Sequence, residues 1–583
     1  MIGGLFSRFP PNLFDPTHEA LHVCIRNGDV PQLQLLLGAS PVPDVNYSHQ
    51  KYGPPLHFAI WCDNLDAVDL LLAAGANTHL VSYNQQRLTA IGLAASKGHR
   101  DIVKRLWARC APESHVDGLR IEQTCLVMAA LHGHASIVDD MLNWWSGWSQ
   151  DLKIEALRYA AMQWHFGVVN LLLKRESFEQ PILQGALHSA ADHKVMFTDD
   201  IPKYEGVEYV NQQLLISSLI DAGADPNSCP HGNTPLIITV ACNSNLTGAL
   251  KTLLEKGADP NKTNESGLSA LHVLTEPVEI RQMGGGPFII NETAIHLLLQ
   301  YEASVSQPDS AGECPIHWAS YGFNLRLFHI YLYSHLGPDR DNLLRLTNNN
   351  GETLLHFAAA GCRTEVMEYL LSQGLDVNAT NSNGWTPLMC ALTPIDRSTC
   401  WTTNIKTLAN ALQSAHLLLS HGADPNIVTD EGWTPLHVLA LYLDMAGKAE
   451  EFAKDLISRG ADPEARALLL SPPSSVPRSY YVCWSMPWGY RLRGVMADPP
   501  AKKWIVRSNM MPLHWAAERG AVGVIKALLS SGVDVPAMDV DGTSVDVDGT
   551  SPAKMAAESK FLEGKPDLVK DIINLFIDAR ARF

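Results

Sequence analysis

The segment Gly422-Ala-Asp-Pro-Asn-Ile-Val-Thr-Asp-Glu-Gly-Trp-Thr-Pro-Leu-His437 recurs in recognisable form along most of this 583-residue chain. Its ending returns as Thr386-Pro-Leu-Met389, Pro54-Pro-Leu-His57, Cys314-Pro-Ile-His317, Thr353-Leu-Leu-His356 and Met511-Pro-Leu-His514. Its opening returns at Gly223 and Gly257, 34 residues apart, and as Gly460-Ala-Asp-Pro. Self-similarity at a period of about 20–50 residues marks a stacked array in which each repeat buries its apolar face only against its neighbours. The usual division of such a length into independent domains of about 150 residues therefore does not apply.

Within one repeat the residue types prescribe a short inner helix, a tight turn, a longer outer helix and an exit at glycine. Thr434 is suited to cap the inner helix, and Pro435 presets φ where the first helical N–H has no partner in any case. Leu436, Leu439 and Ala440 fall on one helical face, and small pairs such as Ala94-Ala95 and Ala516-Ala517 let helices stack closely. Outer helices read Val68-Asp-Leu-Leu-Leu72, Ala249-Leu-Lys-Thr-Leu-Leu254 and Val524-Ile-Lys-Ala-Leu-Leu529, each followed by a glycine that can take the left-handed conformation.

These motifs resemble the ankyrin repeat, whose period is about 33 residues. The resemblance implies an all-α solenoid of about fourteen helix-turn-helix repeats. Inner helices are expected to begin near Glu19, Pro55, Thr89, Glu122, Leu152, Ile182, Pro235, Ala270, Pro315, Leu354, Pro387, Pro435, Pro512 and Pro552. It also implies that His57, His272, His317, His356, His437 and His514 tie loops to helices. In that family the residue between the motif Gly and Thr lies on the hairpin and commonly faces partners. Here it is Trp385 in one repeat and Trp433 in the next, predicted to line up on the concave side, with Trp61 at a second position that often touches partners. Trp318 and Trp515 follow the motif histidine and are expected in the core.

The expected organisation is a lead-in at 1–16, repeats over 17–470 that are degenerate around 118–192, an insertion at 471–507, and final repeats with a capping helix over 508–583. Further insertions near 193–209, 276–291, 393–406 and 442–448 lengthen turns between inner and outer helices. The one at 471–507 replaces a hairpin loop. It carries Tyr480, Tyr481, Trp484, Trp488, Tyr490 and Trp504, and six basic residues, Arg491 and Arg493 among them, against the single acid Asp498. A loop of this length inside a compact fold is unusual and tends to be functional.

Composition narrows the function classes. A hydrophobic share of 46% with 18% charged residues suits a folded chain, and a net charge of -17 disfavours a general nucleic-acid surface. No apolar run reaches the ~18 residues of a membrane span, and the N-terminus does not read as a secretory signal, so an intracellular protein, cytoplasmic or nuclear, is expected. The eleven cysteines show neither C-x-x-C nor zinc spacing, and no metal or cofactor is implied. The doubled Asp-Val-Asp-Gly-Thr-Ser beginning at Asp539 places Thr550 where a calcium loop needs a bidentate Glu. No linear catalytic motif is present, which leans away from an enzyme.

The function expected is non-catalytic: a protein-interaction scaffold or adaptor using the concave groove and hairpin tips. Trp385, Trp433 and Trp61, with Tyr480, Tyr481, Trp484, Trp488, Tyr490, Arg491 and Arg493, are the candidate contact residues for a protein or peptide partner, an acidic one in particular, or for a small organic ligand. The alternatives are an internal plug, with the insertion folded over both indoles, and a ligand-binding or catalytic pocket built from the insertions.

Overall fold

The computed structural model describes residues 16–40, 43–48, 52–81, 88–109, 124–191, 207–229, 235–241, 247–275, 291–322, 324–334, 340–393, 407–441, 447–471, 505–533, 551–559 and 561–581. The chain forms two compact parts, Met1–Asp259 and Pro260–Phe583. Both are built from helix pairs of the expected kind, and every inner helix starts within three residues of its expected position.

In the first part, short inner helices such as Pro55–Trp61 and Ala90–Lys97 pack on outer helices such as Leu65–Ala73 and Arg100–Trp107. The degenerate repeats solve the loss of Thr-Pro differently. Two of their three inner helices lengthen, to Gln150–Met162 and Gln180–Ala191, while Cys125–Leu131 stays short; the first of the long ones is capped by Ser149, whose side chain accepts from Leu152 N at 3.4 Å. Trp148 and Trp164, just before and just after the first of these helices, are both buried. Their indole N–H groups donate to Met141 O (3.0 Å) and Ala190 O (2.9 Å), so neither burial leaves a donor unmet. Outer helices here begin at histidines whose rings lie on the preceding turn. His134 Nε2 donates to Ser96 O (3.1 Å) and His165 Nε2 to Leu131 O (3.0 Å). A Cβ on Gly98 would come within 2.5 Å of the His134 ring, so that glycine is required by close approach as well as by its φ of 82°.

In the second part, inner helices Ala270–Thr275, Pro315–Gly322, Leu354–Ala360, Pro387–Leu392, Pro435–Leu439, Pro512–Arg519 and Pro552–Glu558 form the layer beside the hairpins. Outer helices Glu292–Gln300, Leu325–Tyr333, Thr364–Ser372, Leu408–Ser420, Glu450–Ser458, Val522–Ser530 and Pro566–Arg580 form the other layer. The core between them is aliphatic with Phe328, Tyr331, Phe357 and Phe452 among its larger members, all buried.

Two elements were not expected. A short helix, Arg340–Leu344, lies between Leu325–Tyr333 and the next hairpin. Strand β1 (Ala467–Ser471) pairs antiparallel with β2 (Ile505–Met510), in register from Leu469 opposite Arg507 to Ser471 opposite Ile505. The apolar Ala-Leu-Leu-Leu and Ile-Val runs suit strands. The hairpin loop of this repeat thus becomes a two-stranded ribbon, and the boundaries expected at 471 and 507 fall at or inside its strands. No helix among the described residues is long and apolar enough to cross a membrane.

Candidate functional site

The motif histidines set the geometry of the hairpin edge. In the second part the Nδ1 of His272, His317, His356, His437 and His514 accepts the backbone N–H three residues earlier, at 2.9–3.2 Å. An accepting Nδ1 fixes the neutral tautomer with its proton on Nε2. In three of the five that proton bridges to the next repeat: His272 to Glu313 O (3.1 Å), His356 to Trp385 O (3.0 Å) and His437 to Met510 O (3.2 Å). His57 makes the same bridge to Leu88 O (3.1 Å) in the first part. Burial pushes His57, His317, His356 and His437 down to about 4, against the opposing pull of backbone acceptors. The hydroxyl expected to cap the inner helix is drawn into the same network, with Thr434 Oγ1 2.9 Å from His437 Nδ1.

Four of these hairpins are each closed by one Asx side chain, and the fifth by Thr429 Oγ1, which accepts the Trp433 N–H at 3.1 Å. Asn264, Asp309, Asn348 and Asn381 use Oδ1 to accept the N–H groups two and four residues on, at 2.7–3.0 Å. Consecutive tips are then joined backbone to backbone. Ser310 N donates to Ser266 O (3.0 Å), Asn349 N to Ala311 O (3.0 Å), Ser382 N to Asn350 O (2.7 Å), Asp430 N to Asn383 O (3.1 Å) and Leu468 N to Glu431 O (2.9 Å). The result is a hydrogen-bonded strip running from Ser266 into β1. Its outward side chains, Glu265, Ser266, Ser310, Asn349, Asn350, Ser382, Asn383, Asp430 and Glu431, are exposed. They offer donors and acceptors at regular spacing, with only acidic charges among them.

Beneath that strip lies the position between the motif Gly and Thr, and it differs from the expected open face. Leu268, Glu313, Glu352, Trp385 and Trp433 occupy it in successive repeats, and all are buried. Trp385 and Trp433 do line up, with ring centroids 5.7 Å apart, but they are only 1% and 5% exposed. The reason is a third indole. Trp515, expected in the core and found there, meets Trp433 edge-on at 4.2 Å and His437 at 5.3 Å. Trp433 Nε1 donates to Leu468 O of β1 at 2.9 Å, which locks the ribbon onto the cluster. Trp318 is likewise buried. Glu352, 1% exposed, accepts from Asn348 Nδ2 (2.6 Å) and Asn381 Nδ2 (2.9 Å), clasping two hairpins together. This clasp was not anticipated; its only sequence signal is a Glu at the hairpin position flanked by Asn four residues before it and one repeat later.

Trp61 is half-buried, and Lys97 Nζ sits 3.5 Å from the centre of its ring. Tyr480, Tyr481, Trp484, Trp488, Tyr490, Arg491 and Arg493 lie outside the described residues, so the plug and pocket readings of the insertion carry no structural account. Among the described residues, no group of three or more His, Cys, Asp or Glu is placed to hold a metal ion.

Comparison with known proteins meets this geometry. A family model described as "Ankyrin repeat" matches residues 54–83, 231–265, 383–430, 431–468 and 508–540, and one described as "Ankyrin repeats (3 copies)" matches 324–400. Inversin of Canis lupus familiaris and of Homo sapiens is each 32% identical over 183 residues, covering 30% of this chain and 16% of inversin. NF-kappa-B inhibitor delta of Mus musculus is 27% identical over 230 residues, 35% of this chain and 69% of that protein. The chain thus aligns with about a sixth of the length of the inversins. The chain carries several copies of the ankyrin repeat, a repeat that generally serves as a protein-interaction module.

Proposed function

We propose that this protein is a non-catalytic recognition scaffold that engages a protein or peptide partner along the hairpin tips and the adjoining concave face of residues 260–583. The observation that carries this reading is the strip from Ser266 to Leu468, in which every tip is bonded to the next and its polar side chains remain exposed. A surface ordered before binding loses little conformational freedom when a partner arrives. The spread of amides and hydroxyls suits a polar partner surface. The buried tryptophans then act as the foundation of the strip, since Trp433 holds β1 in place.

The test is a comparison of full-length chains. One carries Asn350→Arg and Asn383→Arg at the tips; the other carries Glu365→Arg and Glu368→Arg on the outer helix Thr364–Ser372. Partners retained by the native chain should be lost from the tip variant and kept by the outer-helix variant. Identical partner sets for both variants would refute the placement.

A further inference from the structure

The inner helix Pro512–Arg519 carries buried donors that no group among the described residues uses. Arg519 is 4% exposed, and its Nε and Nη2 atoms are out of solvent with no hydrogen-bond partner there. Trp515, one turn earlier on the same helix face, is fully buried, and its Nε1 also has no acceptor among those residues. Buried donors are satisfied in the great majority of cases, so three on one helix face call for an explanation. Arg519 remains charged at neutral pH, since burial pushes it down only to about 10.

The surroundings orient these groups without satisfying them. The guanidinium lies with Cζ 3.6 Å from the centre of the Phe561 ring, which covers one of its faces and leaves its edge open to bonding. Glu518 Oε2 is 3.7 Å from Arg519 Nε, close enough to balance charge and too far for a hydrogen bond. On the other side, Trp515 is held by Trp433 and His437. The Nε and Nη2 edge of arginine presents two parallel N–H groups, the geometry that pairs with both oxygens of one carboxylate. An indole N–H on the same face adds a further donor.

We propose that Arg519, with Trp515 beside it, is a carboxylate-binding site, filled either by a small organic acid or by the side chain of an acidic residue in a bound peptide. The two sources share one chemistry. The incoming carboxylate competes with Glu518 for the guanidinium, and it reaches the site only by displacing what covers it. This assignment is independent of the hairpin strip, whose variants leave these residues untouched.

Isothermal calorimetry on the full-length chain at low ionic strength tests it, with glutarate as one probe and an end-blocked pentapeptide containing a single glutamate as the other. Saturable binding of at least one probe is expected, and which one binds identifies the source. Arg519→Lys, which keeps the charge and loses the paired edge, should weaken binding at least tenfold. Trp515→Phe should weaken it several-fold, and Glu518→Gln should tighten it by removing the competing charge. Absence of saturable binding of both probes, or equal binding by the Arg519→Lys protein, would overturn the assignment. Should Arg519→Lys fail to fold by circular dichroism, unchanged affinity in Glu518→Gln overturns it equally.

Discussion

In a repeat such as that of His437 one imidazole makes two bonds, and its chemistry exposes the fold to pH. His437 accepts the Thr434 N–H on Nδ1 and donates from Nε2 to Met510 O, so protonation would destroy the first bond and place a charge in the core. His57, His317, His356 and His437 are held near 4, below their ordinary value of 6.5. Between those values the unfolded chain binds protons that the folded chain refuses, so stability falls as pH falls through that window. Each group contributes on the order of 1.4 kcal/mol for every tenfold difference in proton affinity between the folded and unfolded chain. The thermal midpoint should drop steadily from pH 7 to pH 5; a flat or rising midpoint would contradict this. Trp433 gives a second test at the same scale. Phe in its place keeps most of the packing but strands Leu468 O, costing about 1 kcal/mol, whereas Ala should cost about 3–5 kcal/mol. Urea denaturation of the two variants distinguishes these outcomes.

At the scale of elements, the hairpin is where the sequence was most and least readable. Helix pairs were legible because Thr-Pro entries, alanine pairs and glycine exits each have a local cause. The Gly-to-Thr position was not. Its side chain can face out or in, and only the neighbouring repeats decide: Trp515 closes over Trp433, and Asn348 and Asn381 draw Glu352 inward. The ribbon of β1 and β2 escaped for a similar reason, since its partners are separated by the whole insertion. Two glycines carry a prediction. Gly374 ends an outer helix at φ 83° with open space around a would-be Cβ, while Gly384, at φ 79°, would place one 2.8 Å from Thr429 Cα and Val428 O. Gly374→Ala should cost about 1 kcal/mol, for the left-handed backbone alone. Gly384→Ala should cost at least about 1 kcal/mol more, because the next hairpin must move. Equal losses in denaturant titrations would mean that the tips are not held against one another.

Across the whole molecule, nearest-neighbour stacking explains why repeats without Thr-Pro still fold: Gln150–Met162 and Gln180–Ala191 compensate by length and by tryptophans that satisfy their own N–H groups. Net charge and cysteine spacing narrow what is expected of the sequence, yet neither names a surface. The strip from Ser266 to Leu468 does, because backbone bonds order it while its side chains stay exposed. The recognition account is tested most directly by placing a photo-crosslinking residue singly at Asn350, at Asn383 and, as control, at Glu368 on an outer helix, then irradiating the chain among its native partners. The account predicts that both tip positions capture one common protein and the control does not. Capture from Glu368 with none from the two tips would contradict it.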